Sequence, residues 1–112
     1  MAYSEELADR VRHALRELPY VEEKKMFSGI AFLVHDKMCI NVTQNGLMCR
    51  IDPDMLDELL ENKPCRPMVM RGKEMKGYVI VDEEDVPNRK QLQFWIDLCL
   101  AYNPKAKSSK KK

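Results

Sequence analysis

Between Met38 and Asp52 apolar and polar residues alternate with the period of two expected of half-buried strands. Met38, Ile40 and Val42 point one way, and Cys39, Asn41 and Thr43 the other. After Asn45-Gly46, Leu47, Cys49 and Ile51 alternate with Met48, Arg50 and Asp52. Asn45-Gly46 tolerates positive φ at both positions, which suits a two-residue type I′ turn. With the turn there, Val42 faces Cys49 and Asn41 faces Arg50, and the apolar sets share one face. A strand from Ile30 to Val34 and the turn His35-Asp36-Lys37 complete a predicted β-meander over Met26 to Ile51. A short strand around Val21 to Phe27 precedes it.

Helical spacing brackets this core. Ser4 caps a first helix with Glu5 and Glu6 in its first turn, where the helix dipole favours negative charge. Leu7, Val11, Ala14, Leu15 and Leu18 recur on one stripe until Pro19; His13 falls off it and reads as solvated. Asp52-Pro53 starts a second helix with Met55, Leu56, Leu59 and Leu60 on its apolar face, ended by Asn62-Lys63-Pro64. Pro67 to Met70 and Gly77 to Val81 read as strands joined through Arg71-Gly72-Lys73-Glu74. The acidic connector Asp82 to Asp85 follows. Asn88 and Gln91 resemble a capping box ahead of Leu92, Trp95, Ile96, Cys99 and Tyr102. The order helix, strands, helix, strands, helix predicts an α+β two-layer sandwich, a largely antiparallel sheet with helices on one face.

Two blocks carry a family likeness. Met26-Phe27-Ser28-Gly29, Phe32, Lys37-Met38-Cys39 and Gly46-Leu47-Met48-Cys49-Arg50 form the first; Arg66-Pro67-Met68, Gly72, Met75-Lys76-Gly77-Tyr78 and a closing helix around Trp95 form the second. In this order they resemble the N-terminal domain of the TfoX/Sxy family, over roughly Met26 to Tyr102. The resemblance implies the same two-layer arrangement and a role like that of a competence regulator's N-terminal module. In that family a second, helical domain usually follows. The chain stops at Lys112, so a stand-alone module is expected, and a role in competence does not carry over with the fold.

Composition changes the picture little, with 45% hydrophobic and 33% charged residues over 112 positions, which is one domain with a single core. Residues 1–103 read as that domain and residues 104–112 as a disordered lysine-rich tail. The tail holds Lys105, Lys107, Lys110, Lys111 and Lys112; taking these five from the 19 basic residues leaves 14 against 18 acidic ones. It is at most a weak, non-specific nucleic-acid arm, and a solubilising terminus is the simpler reading. No apolar run reaches the ~18 residues that span a membrane. The N-terminus has no basic-then-apolar leader, so the cytoplasm is expected.

Candidate chemistry is sparse. Cys39, Cys49, Cys65 and Cys99 lack zinc-binding spacing, and the alternation sends Cys39 and Cys49 to opposite faces, so free thiols and no metal are expected. No nucleophile elbow, phosphate loop or His-Glu-x-x-His motif occurs, so no catalytic residue and no cofactor is assigned. A Cys39–His35 pair has nothing to orient the base. One feature resists a purely structural account. If Ala31 and Leu33 join Met38, Ile40, Val42, Leu47, Cys49 and Ile51 beneath the helices, the other face holds Ile30, Phe32, Val34, Asn41, Met48 and Arg50. A solvated face should lack so many large apolar groups. The expectation is a non-enzymatic interaction or regulatory module whose partner is a protein, a second copy included, bound at this face. The alternative is a small-ligand binder or enzyme using the polar strip Asn41, Arg50 and Arg66, and the third reading is the lysine tail on nucleic acid.

Overall fold

The computed structural model describes residues 4–26, 29–44 and 46–105. They form an α+β domain with helices α1 (Glu5–Leu15), α2 (Leu56–Asn62) and α3 (Arg89–Tyr102) and strands β1 (Val21–Met26), β2 (Gly29–Val34), β3 (Lys37–Thr43), β4 (Gly46–Arg50), β5 (Arg66–Met70) and β6 (Lys73–Val81). The six strands make one antiparallel sheet in the order β1-β2-β3-β4-β6-β5. None of the described helices is long and apolar enough to cross a membrane.

The caps sit where the sequence places them. Ser4 Oγ accepts from Leu7 N–H at 3.1 Å, Asp52 from Asp54 N–H at 3.0 Å and Asn88 from Gln91 N–H at 3.0 Å. The Asp52 cap opens a 3₁₀ turn, Pro53–Met55, that leads into α2. α1 ends at Leu15, short of Leu18, and Ala14 is exposed, so both fall outside the buried stripe of Leu7, Ala8, Val11 and Leu15.

Turn chemistry sets the register. His35 and Asp36 both have positive φ, 54° and 67°, with Val34 opposite Lys37. Arg71 and Gly72 repeat this with φ of 55° and 79° between Met70 and Lys73. Both are two-residue connections of the primed type, whose twist matches that of the strands. The expected turn at Asn45-Gly46 is corrected: Thr43 faces Gly46, so Gly46 is already a paired residue of β4, and Asn45 lies outside the described residues. Val42 therefore faces Leu47, and Cys49 faces Ile40. Gly46 is required for another reason: a Cβ there would lie 2.2 Å from the Val81 carbonyl oxygen of β6. The slip of two residues leaves side-chain parity in β4 unchanged.

A bulge in β3 has the larger effect. Phe32 faces Ile40 but Leu33 faces Met38, which makes Cys39 an extra residue. The inserted residue inverts the alternation, so Met38 lies on one side of the sheet and Cys39, Ile40 and Val42 on the other. The predicted face assignment is thereby overturned for β2. Ile30, Phe32 and Val34 pack toward the helices, while Ala31 and Leu33 lie on the helix-free side.

The main core lies between sheet and helices. Leu7, Val11 and Leu15 of α1, Leu56 and Leu59 of α2, and Leu92, Trp95, Ile96 and Cys99 of α3 meet Phe32, Ile40, Val42, Leu47, Cys49, Ile51, Val79 and Val81. Fully burying one such aliphatic or phenyl side chain contributes roughly 1.5–3 kcal/mol. α3 packs over β3 and β4, and α2 over β6. The end of α3 is tied to the β2–β3 hairpin, with buried Asn103 Nδ2 donating to Val34 O at 3.2 Å and Lys37 Nζ to Asn103 O at 3.3 Å. Above β1 and β2, Arg12 pairs with Glu23 through Nε at 2.6 Å and lies 6.0 Å from the Phe32 ring centroid. Both sheet edges are blunted, β1 by the exposed run Glu22 to Lys25 and β5 by Pro67, which has no N–H to offer a further strand.

Candidate functional site: the helix-free face of the sheet

The helix-free face carries a second apolar cluster built only from strands. Ala31, Leu33, Met38 and Met48 are its buried members, with Met68, Tyr78 and Ile80 packed around them. Strand register orders these side chains into rows, since directly opposed residues share a face. Lys24, Ala31, Asn41, Met48, Ile80 and Arg66 follow one another across the sheet, strand by strand. Glu22 stands opposite Leu33, and Arg50 opposite Tyr78.

At the centre of the first row is Asn41, 0% exposed, with neither its amide nitrogen nor its carbonyl oxygen hydrogen-bonded. Asn103, the other buried asparagine, has its donor satisfied. A buried polar side chain left unpaired costs about 1–3 kcal/mol relative to one in water or in a hydrogen bond. Arg50 reaches over the same face; its guanidinium lies 5.8 Å from the Tyr78 ring centroid, and Nη1 donates to Met38 O at 3.4 Å. The ring contact uses the planar, weakly hydrated face of the guanidinium, which stacks on aromatic rings better than an ammonium does, and the hydrogen bond uses an in-plane N–H.

The sequence-predicted residues divide between the two faces. Asn41, Met48 and Arg50 come together on the helix-free side, and Arg66 lies on the same row two strands from Met48. The Arg66 guanidinium is ion-paired to Asp82, so the polar strip is split instead of converging on one ligand. Ile30, Phe32 and Val34 are not part of it: Phe32 is 0% exposed and Val34 4%, both in the core beneath the helices. Of the tail lysines, Lys105 is exposed at the end of the final 3₁₀ turn, and Lys107, Lys110, Lys111 and Lys112 lie outside the described residues. Sequence reasoning missed Leu33, Met38, Tyr78 and Ile80 as members of the helix-free face. The adjacent apolar pair Cys39-Ile40 within an otherwise alternating strand was the available signal of the bulge.

The catalytic pairing weighed above is geometrically separated, with the His35 ring 5.2 Å from Tyr20 and the Cys39 side chain turned into the core. A groove of roughly 940 Å³ between α1 and α3 is lined by mixed charges including Glu5, Asp9, Arg10, His13 and Arg89. It contains none of the predicted site residues.

A family model, described as the TfoX N-terminal domain, matches residues 13–102 of the 112. No curated protein and no solved structure matches the chain at a significant level.

Proposed function

The chain belongs to the TfoX N-terminal domain family, and on that premise we propose that it is a non-enzymatic regulatory module of the cytoplasm that engages a protein partner through the helix-free face. The observation that carries this reading is Asn41. Natural sequences place a destabilising group where function requires it, and an amide kept unpaired amid apolar side chains is such a group. Met38 and Met48 are buried and Met68 is half-buried on this face, and their flexible, polarizable thioether chains suit repacking when a partner is seated over them. Beyond the Arg66–Asp82 ion pair, Lys24 and Arg50 outnumber Glu22 on this face, which favours an acidic partner surface over a second copy of the same basic one.

Ile80→Glu tests the reading, because Ile80 is half-buried on the helix-free face and its substitution leaves the helix-side core intact. Val69→Glu, on the same hairpin at an exposed position, serves as the control. Wild type and the Val69 variant should retain the same protein from native lysate, and folded Ile80→Glu should lose it. Light scattering of the purified chain shows separately whether the partner is a second copy. Retention by folded Ile80→Glu at the wild-type level would place the interface elsewhere.

A further inference from the structure

Just ahead of β1 the chain holds an exposed tyrosine in a backbone conformation that tyrosine rarely adopts. Of the four non-glycine residues with positive φ among the described ones, three meet here: Tyr20 at 62°, His35 at 54° and Asp36 at 67°. His35 and Asp36 owe theirs to the β2–β3 turn, but Tyr20 lies outside any hairpin connection. For a bulky side chain the left-handed region is a true outlier, kept only where the surroundings fix it. Here the His35 N–H donates to the Tyr20 carbonyl oxygen at 3.1 Å, extending the β1–β2 ladder past Val21 and Val34. The strained residue does not bury its ring, which is 72% exposed. It lies against the His35 ring, with centroids 5.2 Å apart and planes tilted by 37°. Glu22 and Asp36 complete the lining of a concavity of roughly 310 Å³.

Two aromatic rings and two carboxylates around one hollow are complementary to a compact cation carried on an apolar stem, which is the form of a lysine side chain. The ring half of such a contact already exists elsewhere in this chain, where Lys63 Nζ stands 4.4 Å from the Phe94 ring centroid. The chain also brings lysines close to the hollow. Lys37 Nζ, on the far side of the His35-Asp36 turn, donates to the carbonyl oxygens of Asn103 and Pro104 at 3.3 and 3.4 Å, and the lysine-rich segment begins at Lys105. We propose that the Tyr20–His35 concavity is a binding site for the ammonium group of a lysine side chain, supplied by the segment after Pro104 or by another polypeptide. The stem lies along the Tyr20 ring, and the ammonium meets the ring face and the Glu22 carboxylate. The site stands at a corner of the helix-free face, where Glu22 opposes Leu33, but it does not depend on that face binding a protein.

The test is a titration of the isotope-labelled full chain with acetyl-Ala-Lys-Ala-amide, followed by amide chemical shifts, with the norleucine peptide as the uncharged control. It is run on wild type and on a chain in which Lys105, Lys107, Lys110, Lys111 and Lys112 are all changed to glutamine. In the glutamine chain the lysine peptide should give saturable, millimolar shifts at Tyr20, Glu22, His35 and Asp36, and the norleucine peptide none. Tyr20→Leu and Glu22→Gln, both at exposed positions, should each weaken binding about two- to five-fold, and Tyr20→Phe should not. The two chains identify the source. If the glutamine substitutions alone move the Tyr20 and Glu22 signals and tighten peptide binding, the chain's own lysines fill the site. If the signals stay and both chains bind alike, the lysine comes from a partner. Absence of saturable shifts at these residues in the glutamine chain would overturn the proposal. So would equal binding of the norleucine peptide, or wild-type affinity in folded Tyr20→Leu.

Discussion

Replacing Asn41 with leucine should make the domain more stable, the opposite of what a polar substitution at a solvated sheet position would do. Leucine has the same number of side-chain heavy atoms and the same branching, so neither a cavity nor overpacking dominates. What changes is the unpaired amide, whose nitrogen and oxygen are both buried without a partner between Ala31 and Met48. Removing it recovers about 1–3 kcal/mol of desolvation cost. At about 4–8 °C per kcal/mol for a domain of this size, the melting temperature should rise by several degrees or more. Urea titration is the cleaner assay, since the midpoint should rise at constant m, which separates native-state stabilisation from altered compactness. The same variant should lose partner binding, and this pairing of gained stability with lost function marks a site kept at the fold's expense. A variant destabilised by more than 1 kcal/mol would show that the amide is satisfied in solution. The argument that Asn41 marks an interface would then fall with it.

Phe32→Ala should cost about 3–5 kcal/mol and Phe32→Asp should abolish folding, read by circular dichroism, because Phe32 is core and not surface. Gly46→Ala should destabilise by more than about 2 kcal/mol, with amide-exchange protection lost first along β4 and β6, since φ is +115° and the Val81 carbonyl occupies the space for a Cβ. The hydrogen bond from Arg12 holds the Glu23 carboxyl below its usual range. Its contribution is therefore fully present above the unfolded carboxylate pKa and is lost as pH falls through the lower folded value. Glu23→Gln should flatten the acid limb of the stability curve, and an unchanged limb would mean the exposed pair contributes nothing. Any nucleic-acid binding should vanish on removing Lys105 to Lys112; five lysines limit the log-log salt slope to roughly −4.5, and a steeper slope would point to the body of the domain.

The fold was legible because its elements are strongly periodic and carry the expected caps. The stripe Leu7, Val11, Leu15, the caps Ser4, Asp52 and Asn88, and the alternation from Ile40 to Val42 of β3 and through β4 all reappear in the structure. Which face of the sheet meets the helices was not legible. Period-two alternation fixes which residues of a strand lie together, but one inserted residue reverses their side, and the pattern alone does not say where that residue is. Side-chain volume would have resolved it. Ile30, Phe32 and Val34 fill far more space than Ala31 and Leu33, and the larger set belongs under the helices, where a main core has to be filled to close packing. With that criterion applied to β2, the doublet Cys39-Ile40 is no longer a lapse in alternation. It is the bulge that lets a strand paired to β2 present Ile40 and Val42 inward while Met38 stays with Leu33. Two consequences follow from that single insertion: it turns the Cys39 side chain into the core, and it leaves Asn41 opposite Ala31 and Met48 on the helix-free face. The candidate site and the main core thus share one irregularity in β3. Deleting Cys39 restores an unbroken register between Phe32–Leu33 and Met38–Ile40, at the cost of one side chain buried in the main core. If the deletion variant folds, Asn41 keeps its place between Ala31 and Met48 and partner binding should survive, whereas loss of binding with the fold intact would mean that the bulge itself shapes the site.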